Sequence, residues 1–151
     1  MTVRYEYAIK NRNLFIKIIG TARYTEANEF SAFVTKVLSG REYEDILVDL
    51  TETIFLDSTN LGLLAKLAGY VVMNYDHKMT LVSTNQEINT VLLNTGFDQI
   101  MTLITDPLGF KHSYSIITTE ENVEENIARM MLDAHLALIE LNDKNRQEFK
   151  K

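Results

Sequence analysis

The chain has 151 residues, enough to bury a core without disulfide staples and short enough to form one domain with an appendage. It contains no cysteine, which excludes disulfides and thiolate metal sites and fits a reducing cytoplasm. The net charge of −6, with Lys and Arg scattered, excludes the clustered positive charge that a phosphate-backbone binder needs; nucleic acid is not an expected partner.

The N-terminal MTVRYEYAIKNRN lacks the apolar core of a signal peptide, and no run approaches the roughly 18 apolar residues of a membrane span. A cytoplasmic chain with no membrane partner is expected. Residues 3–9 (VRYEYAI) and 14–19 (LFIKII) read as strands, joined through the polar KNRN as a hairpin, with Gly20 ending the second. Ala27, Phe30, Val34, Val37 and Leu38 fall at helical spacing, and Gly40 stands where a helix C-terminus wants it. ILVDL (46–50) is a nearly continuous apolar run, the mark of a strand covered on both faces.

After the apolar Ile54–Phe55–Leu56 the spacing predicts a helix to about Asn74, with Leu61, Leu64, Ala65, Ala68 and Val72 as its inner stripe. MTLV (79–82) is the next buried strand. Thr84 with Glu87 forms a capping-box pattern before a short helix faced by Ile88, Val91 and Leu92, which Gly96 stops. IMTLI (100–104) reads as a last strand. The alternation predicts an α/β fold: a small mixed sheet with an N-terminal hairpin and parallel inner strands, covered by helices.

DPLG (106–109) breaks the chain and divides a domain of residues 1–106 from an extension of residues 107–151. In the extension YSIITT (114–119) suggests a short strand, Thr118 with Glu121 another capping box, and residues 120–148 a long amphipathic helix. Its apolar face includes Val123, Ile127, Met130, Met131, Ala134, Leu138 and Leu141, widened by Leu132, Leu136 and Ile139. One helix docking on a sheet needs only about 100° of apolar arc. The excess points equally to a homodimer through this helix or to residues 110–119 folding back over it.

The chemistry-bearing stretch is TIFLDSTNLGLLAKLAGYVV (53–72), where an apolar run stops at Asp57 and Ser58, Thr59 and Asn60 precede a helix. Asp57 or Ser58 suits an N-cap, and turns are rich in such residues, so spacing alone demands no function here. A hydrolase elbow wants Gly two residues either side of the serine, but Leu56 and Asn60 stand there. His77, His112 and His135 all sit in polar or helical settings unsuited to a catalytic base. No glycine-rich nucleotide loop occurs, and no His with Asp or Glu has ligand spacing, so neither cofactor nor metal is expected.

ILVDLTETIFLDSTNLGLL resembles the hallmark of STAS domains, specifically the anti-sigma factor antagonists: a buried strand ending in Asp-Leu, an apolar run, then Asp-Ser-(Ser/Thr)-Gly-Leu-Gly opening a helix. Asp49, Leu50, Asp57, Ser58, Thr59, Leu61 and Gly62 match it. IIGTARYTEANEF and LLNTGFDQIMTLI are similar to further family segments, so the resemblance runs over residues 3–105. Asn60 departs from the family's usual Gly; Asn tolerates left-handed backbone, which would preserve the turn.

The resemblance implies a non-enzymatic, phosphorylation-switched module of bacterial partner switching and transcription regulation. Ser58 would be phosphorylated by an anti-sigma factor with serine kinase activity and restored by a cognate phosphatase. The unphosphorylated form would bind the anti-sigma factor and free a sigma factor. Asp57, Thr59 and Asn60 would form the docking corner. Leu63, Lys66, Leu67 and Tyr70, off the inner stripe, would extend it unless the extension packs over them. The alternative is a STAS scaffold or accessory subunit of a larger regulatory or transport complex, without a phosphoswitch.

Overall fold

Lys10 pairs with Asn13, and between them Asn11 takes a left-handed φ of 59°, which closes the expected hairpin. The computed structural model describes residues 3–40, 42–105, 115–116, 134 and 137–138. In chain order these form β1 (Val3–Lys10), β2 (Asn13–Ala22), a 3-10 turn (Tyr24–Glu26), α1 (Asn28–Leu38), β3 (Asp45–Asp49), β4 (Thr53–Leu56), α2 (Ser58–Asn74), β5 (Met79–Val82), α3 (Gln86–Asn94), a second 3-10 turn (Phe97–Gln99), β6 (Met101–Ile104) and β7 (Ser115–Ile116).

The sheet runs β6-β5-β3-β2-β1-β7. β1 is antiparallel to both neighbours, and the pairs among β2, β3, β5 and β6 are parallel, as the mixed-sheet expectation required. One departure shapes the site. β2 does not end at Gly20 but continues to Ala22, pairing first with β3 from Asn13 to Lys17 and then with β4 from Gly20 to Ala22. Gly20 supplies the left-handed φ of 96° at the irregularity, and its N–H donates to the Glu52 carbonyl at 3.0 Å. The glycine is therefore a bulge rather than a terminator. It delivers β4, and the corner after it, to the end of β2.

The helices lie on one face. On β2, Leu14, Ile16, Ile18 and Ala22 are wholly buried, while Phe15, Lys17, Ile19 and Thr21 are half-covered. β3 alternates likewise: Ile46 and Val48 are buried and Leu47 only partly, so it is not covered on both faces as its composition suggested. Under β1, Tyr5 stacks on Phe30 of α1 at 4.4 Å and Tyr7 tilts over Phe33 at 5.1 Å.

Two helix details differ from the sequence expectation. α3 is capped by Asn85, whose Oδ1 accepts from the N–H groups of Glu87 and Ile88; Thr84 lies outside the cap. On α2 the predicted stripe is buried except Val72, which is 42% exposed. Leu63, Leu67, Tyr70 and Val71 are buried as well, so α2 is enclosed nearly all round. Gly96 stops α3 as expected, with φ of 88°.

The 106–109 break, the second capping box and most of the 120–148 helix lie outside the described residues, and so does any homodimer contact through that helix. Of its apolar face, Ala134 and Leu138 are described; both are helical and buried within this chain, Leu138 in the main core cluster.

Candidate functional site

The corner is built from Asp57 outward. Its N–H donates to Ala22 O at 3.1 Å, which ties the end of β4 to the end of β2. Its backbone is extended (φ −85°, ψ 177°) and its carbonyl accepts the first helical bond, from Leu61 N–H. Both carboxylate oxygens are engaged. Oδ1 accepts from Asn60 N–H at 3.0 Å and from Asn60 Nδ2 at 2.9 Å; Oδ2 accepts from Tyr24 N–H at 2.6 Å. Asp57 is thus the N-cap of α2 and a brace to the segment after β2. Ser58 follows as the first helical residue, half-buried.

Asn60 keeps its place for a reason other than the one its type suggests. It has ordinary helical backbone, since Asn11 is the sole non-glycine with positive φ among the described residues. Its fully buried side chain instead bridges two groups. Oδ1 accepts from the Tyr5 hydroxyl at 2.5 Å while Nδ2 donates to Asp57. A glycine here would leave the Tyr5 hydroxyl buried without this acceptor. Burial, and next the negative charge of Asp57, push the Tyr5 hydroxyl above the usual tyrosine pKa, so it remains a proton donor.

The structure divides the expected docking residues. Asp57, Ser58 and Lys66 are partly exposed. Thr59, Asn60, Leu63, Leu67 and Tyr70 are buried and do not form an exposed partner face, and the Tyr70 hydroxyl donates to Tyr43 O at 3.3 Å. Uncovering Leu63 and Leu67 would cost about 3–6 kcal/mol at the usual 1.5–3 kcal/mol per side chain. Part of the cover is visible: a Cβ placed on Gly62 would overlap the carbonyl oxygen and Cβ of Ala134.

Sequence reasoning missed the exposed apolar surface beside the corner. Ile54 and Phe55 of β4 are 56% and 45% exposed, although they stand in a continuous apolar run. With Leu56, Leu61, Glu87, Ile88 and Val91 they line a groove of about 260 Å³ between β4, α2 and α3. The Arg23 guanidinium lies 5.4 Å from the Phe55 ring centre. Period-2 alternation would have flagged at most one of this adjacent pair, because successive strand residues point to opposite faces.

Other chemistry finds no support at the corner. His77 lies 3.5 Å from Asp45, which pairs with Asn13 at the start of β2, whereas Leu56 pairs with Ala22 at its end. Nine residues of strand separate the two ends, roughly 30 Å at 3.3 Å per residue, so this imidazole cannot act on Ser58. Among the described residues no cluster of acidic and imidazole groups could hold a metal ion, and no helix is long and apolar enough to cross a membrane.

A family model for the STAS domain matches residues 4–110. The chain belongs to the STAS domain family. The STAS fold is shared with solved anti-sigma factor antagonists. SpoIIAA in its unphosphorylated form superposes with a TM-score of 0.57 at 12% identity, over 70% of this chain and 89% of that one. An anti-sigma factor antagonist from Mycobacterium paratuberculosis gives 0.55 at 14%, over 69% and 86%. The Bacillus cell fate determinant SpoIIAA in its phosphorylated form gives 0.54 at 14%, over 68% and 92%. No curated protein matches the sequence significantly. The segment carrying Ala134 and Leu138 lies beyond the part matched by the STAS model.

Proposed function

We propose that this STAS protein is an anti-sigma factor antagonist whose binding is switched by phosphorylation of Ser58, and that it is a substrate of its partner rather than an enzyme. The observation that carries the reading is the position of Ser58: first residue of α2, partly exposed, directly after a carboxylate cap immobilised through both oxygens. The partner would be an anti-sigma factor with serine kinase activity, in the cytoplasm, with a cognate phosphatase completing the cycle.

The physics of that position favours a switch acting on binding. A phosphate adds about −1.5 to −2 charges. At a helix N-terminus this gains roughly 0.3–2 kcal/mol from the macrodipole, offset by repulsion from Asp57. In a docked interface the same dianion would be desolvated next to that carboxylate, at a cost of several kcal/mol. Each 1.4 kcal/mol is about tenfold in affinity, so the binding term dominates. The surface a partner would meet comprises Asp57, Ser58 and Lys66 with the adjoining groove of Ile54, Phe55 and Val91, since Leu63, Leu67 and Tyr70 are buried.

The test mixes the purified chain and its Ser58→Ala and Ser58→Asp variants with the serine-kinase anti-sigma factors of its source organism. Phosphopeptide mapping after addition of ATP should place a single phosphate on Ser58. Titration should show Ser58→Ala binding like the parent and Ser58→Asp weaker by on the order of 100-fold. Equal binding of Ser58→Asp and parent would overturn the reading.

A further inference from the structure

We propose that the second edge of β4 takes an extended apolar segment of a partner protein as an added strand, about four residues long to match β4 and carrying one basic side chain. That this partner is the one that reaches Ser58 rests on the proposed function; the strand addition does not.

β2 has β1 on one side and, on the other, β3 followed by β4. β4 pairs with β2 alone, and among the described residues no strand lies along its second edge. β5 pairs with β3 and ends at Val82, level with Asp49, so it stops short of β4. The chain turns into α3 there, and the groove of about 260 Å³ lies between β4 and α3. The main chain of β4 faces that space. Asp57 N–H donates to Ala22 O on the β2 side, and adjacent strand residues turn their N–H and C=O groups to opposite sides. Those of Leu56 are therefore turned to the second edge. Natural edges are commonly blunted by Lys or Pro, but β4 reads Thr-Ile-Phe-Leu and leaves Ile54 and Phe55 exposed. In strand addition, main-chain hydrogen bonds supply affinity and side-chain pockets supply selectivity. Here the pocket is apolar with one charge. Glu87 lines the groove, is exposed, and pairs with no cation among the described residues, so a lysine or arginine on the incoming segment complements it. The net charge of −6 opposes a second copy of this chain as the occupant. Asp57 and Ser58 follow β4 directly, so a segment on β4 is continuous with the surface beside that serine.

The probe is the peptide acetyl-KVTVTVK-amide, titrated into the full-length chain and followed by backbone amide NMR. Shifts should be confined to β4, the first turn of α3 and the surroundings of Leu61, with a dissociation constant on the order of 1 mM or tighter. Two versions N-methylated at alternate residues, one at the valines and one at the threonines, test the binding mode. An added strand turns only every second N–H to β4, so one version should bind at least about tenfold more weakly and the other nearly unchanged. Glu87→Gln should weaken the parent probe about threefold and leave a version with glutamine for lysine unaffected. No shifts at β4, or equal effects of the two methylations, would overturn strand addition. Unchanged probe affinity in Glu87→Gln would overturn the basic side chain. Hydrogen exchange separates the occupants: in the free chain Leu56 N–H should exchange at least about tenfold faster than that of Val48, which lies between two paired strands, and slow when probe is added. Equal protection of the two in the free chain would overturn the partner. It would assign the edge to a second copy if protection falls on dilution, and to this chain's own residues if it does not. With the kinase that modifies Ser58, saturating probe should displace the kinase; undiminished kinase binding would overturn its identity as the partner. If no kinase acts on Ser58, the switch reading and that identity fail together, while the peptide titration still decides the strand site.

Discussion

Tyr5, on the first strand, donates its hydroxyl proton to the side chain of Asn60, and through that amide it is connected to the carboxylate that caps α2. The two residues are 55 apart in sequence and both buried. Each is the other's partner in a place water does not reach, so neither can be changed without leaving a polar atom stranded.

Tyr5→Phe should therefore cost about 1–3 kcal/mol, and Asn60→Gly a similar amount, because each leaves a buried group unsatisfied. The double variant should cost less than the sum by about 1 kcal/mol or more, since both singles remove the same bond. Urea unfolding of the four proteins measures this. Additivity within about 0.3 kcal/mol would show that the pair does not interact.

The raised pKa of Tyr5 makes stability pH-dependent in the alkaline range. The folded state holds the hydroxyl proton above the pH at which the unfolded chain releases it, near the ordinary tyrosine value of about 10. The stabilisation is fully present below that pH and is lost as pH rises above it, at up to about 1.4 kcal/mol per pH unit. Between pH 10 and 11 the parent should lose roughly 1 kcal/mol more than Tyr5→Phe, which lacks the titrating group. Parallel slopes for the two proteins would contradict this origin.

Asp57→Ala removes the cap of α2, the acceptor of Asn60 Nδ2 and the brace to Tyr24 together. A cap alone is worth about 0.5–2 kcal/mol, so a loss near or above the top of that range is expected. Asp57→Asn should lose less, because it retains an amide oxygen for the Asn60 N–H while placing a donor near the N–H of Tyr24. Thermal melts of the two variants rank them.

Ser58→Asp should leave the fold intact. The added carboxylate gains about 0.3–1 kcal/mol from the helix N-terminus, set against repulsion from Asp57 next to it. Stability within about 1 kcal/mol of the parent is expected by urea unfolding. A much larger loss would mean that reduced partner binding by this variant reflects unfolding rather than charge.

Much of the architecture was legible before any coordinates. The hairpin strands, the helix ending near Asn74, Gly96 as a stop and the parallel inner strands follow from periodicity and turn chemistry, which are local. The errors share one cause. Gly20 reads as a terminator because glycine commonly is one; that β2 exchanges one parallel neighbour for another there depends on where β4 lies. Thr84 reads as a cap because Glu87 follows at the right spacing, but the helix begins one residue later, so Asn85 holds the cap position and accepts from the N–H groups of Glu87 and Ile88. Leu63, Leu67 and Tyr70 read as an outer face because a stripe pattern reports only one neighbour, and α2 has neighbours on almost every side. The exposure of Ile54 and Phe55 is not legible because a run of apolar residues carries no record of what covers it.

The sequence alone determined which residues meet at the corner's covalent neighbourhood: a cap at Asp57 or Ser58, a helix start there, Gly62 one turn on. Capping and helical periodicity act over three or four residues, so the chain carries that information by itself. Only the tertiary structure decided that Asn60 is held by Tyr5, that Gly62 is filled by Ala134 and that the apolar surface open to a partner is β4 rather than α2. Those are contacts between residues far apart in the chain, and burial is a property of the packed molecule, not of any segment.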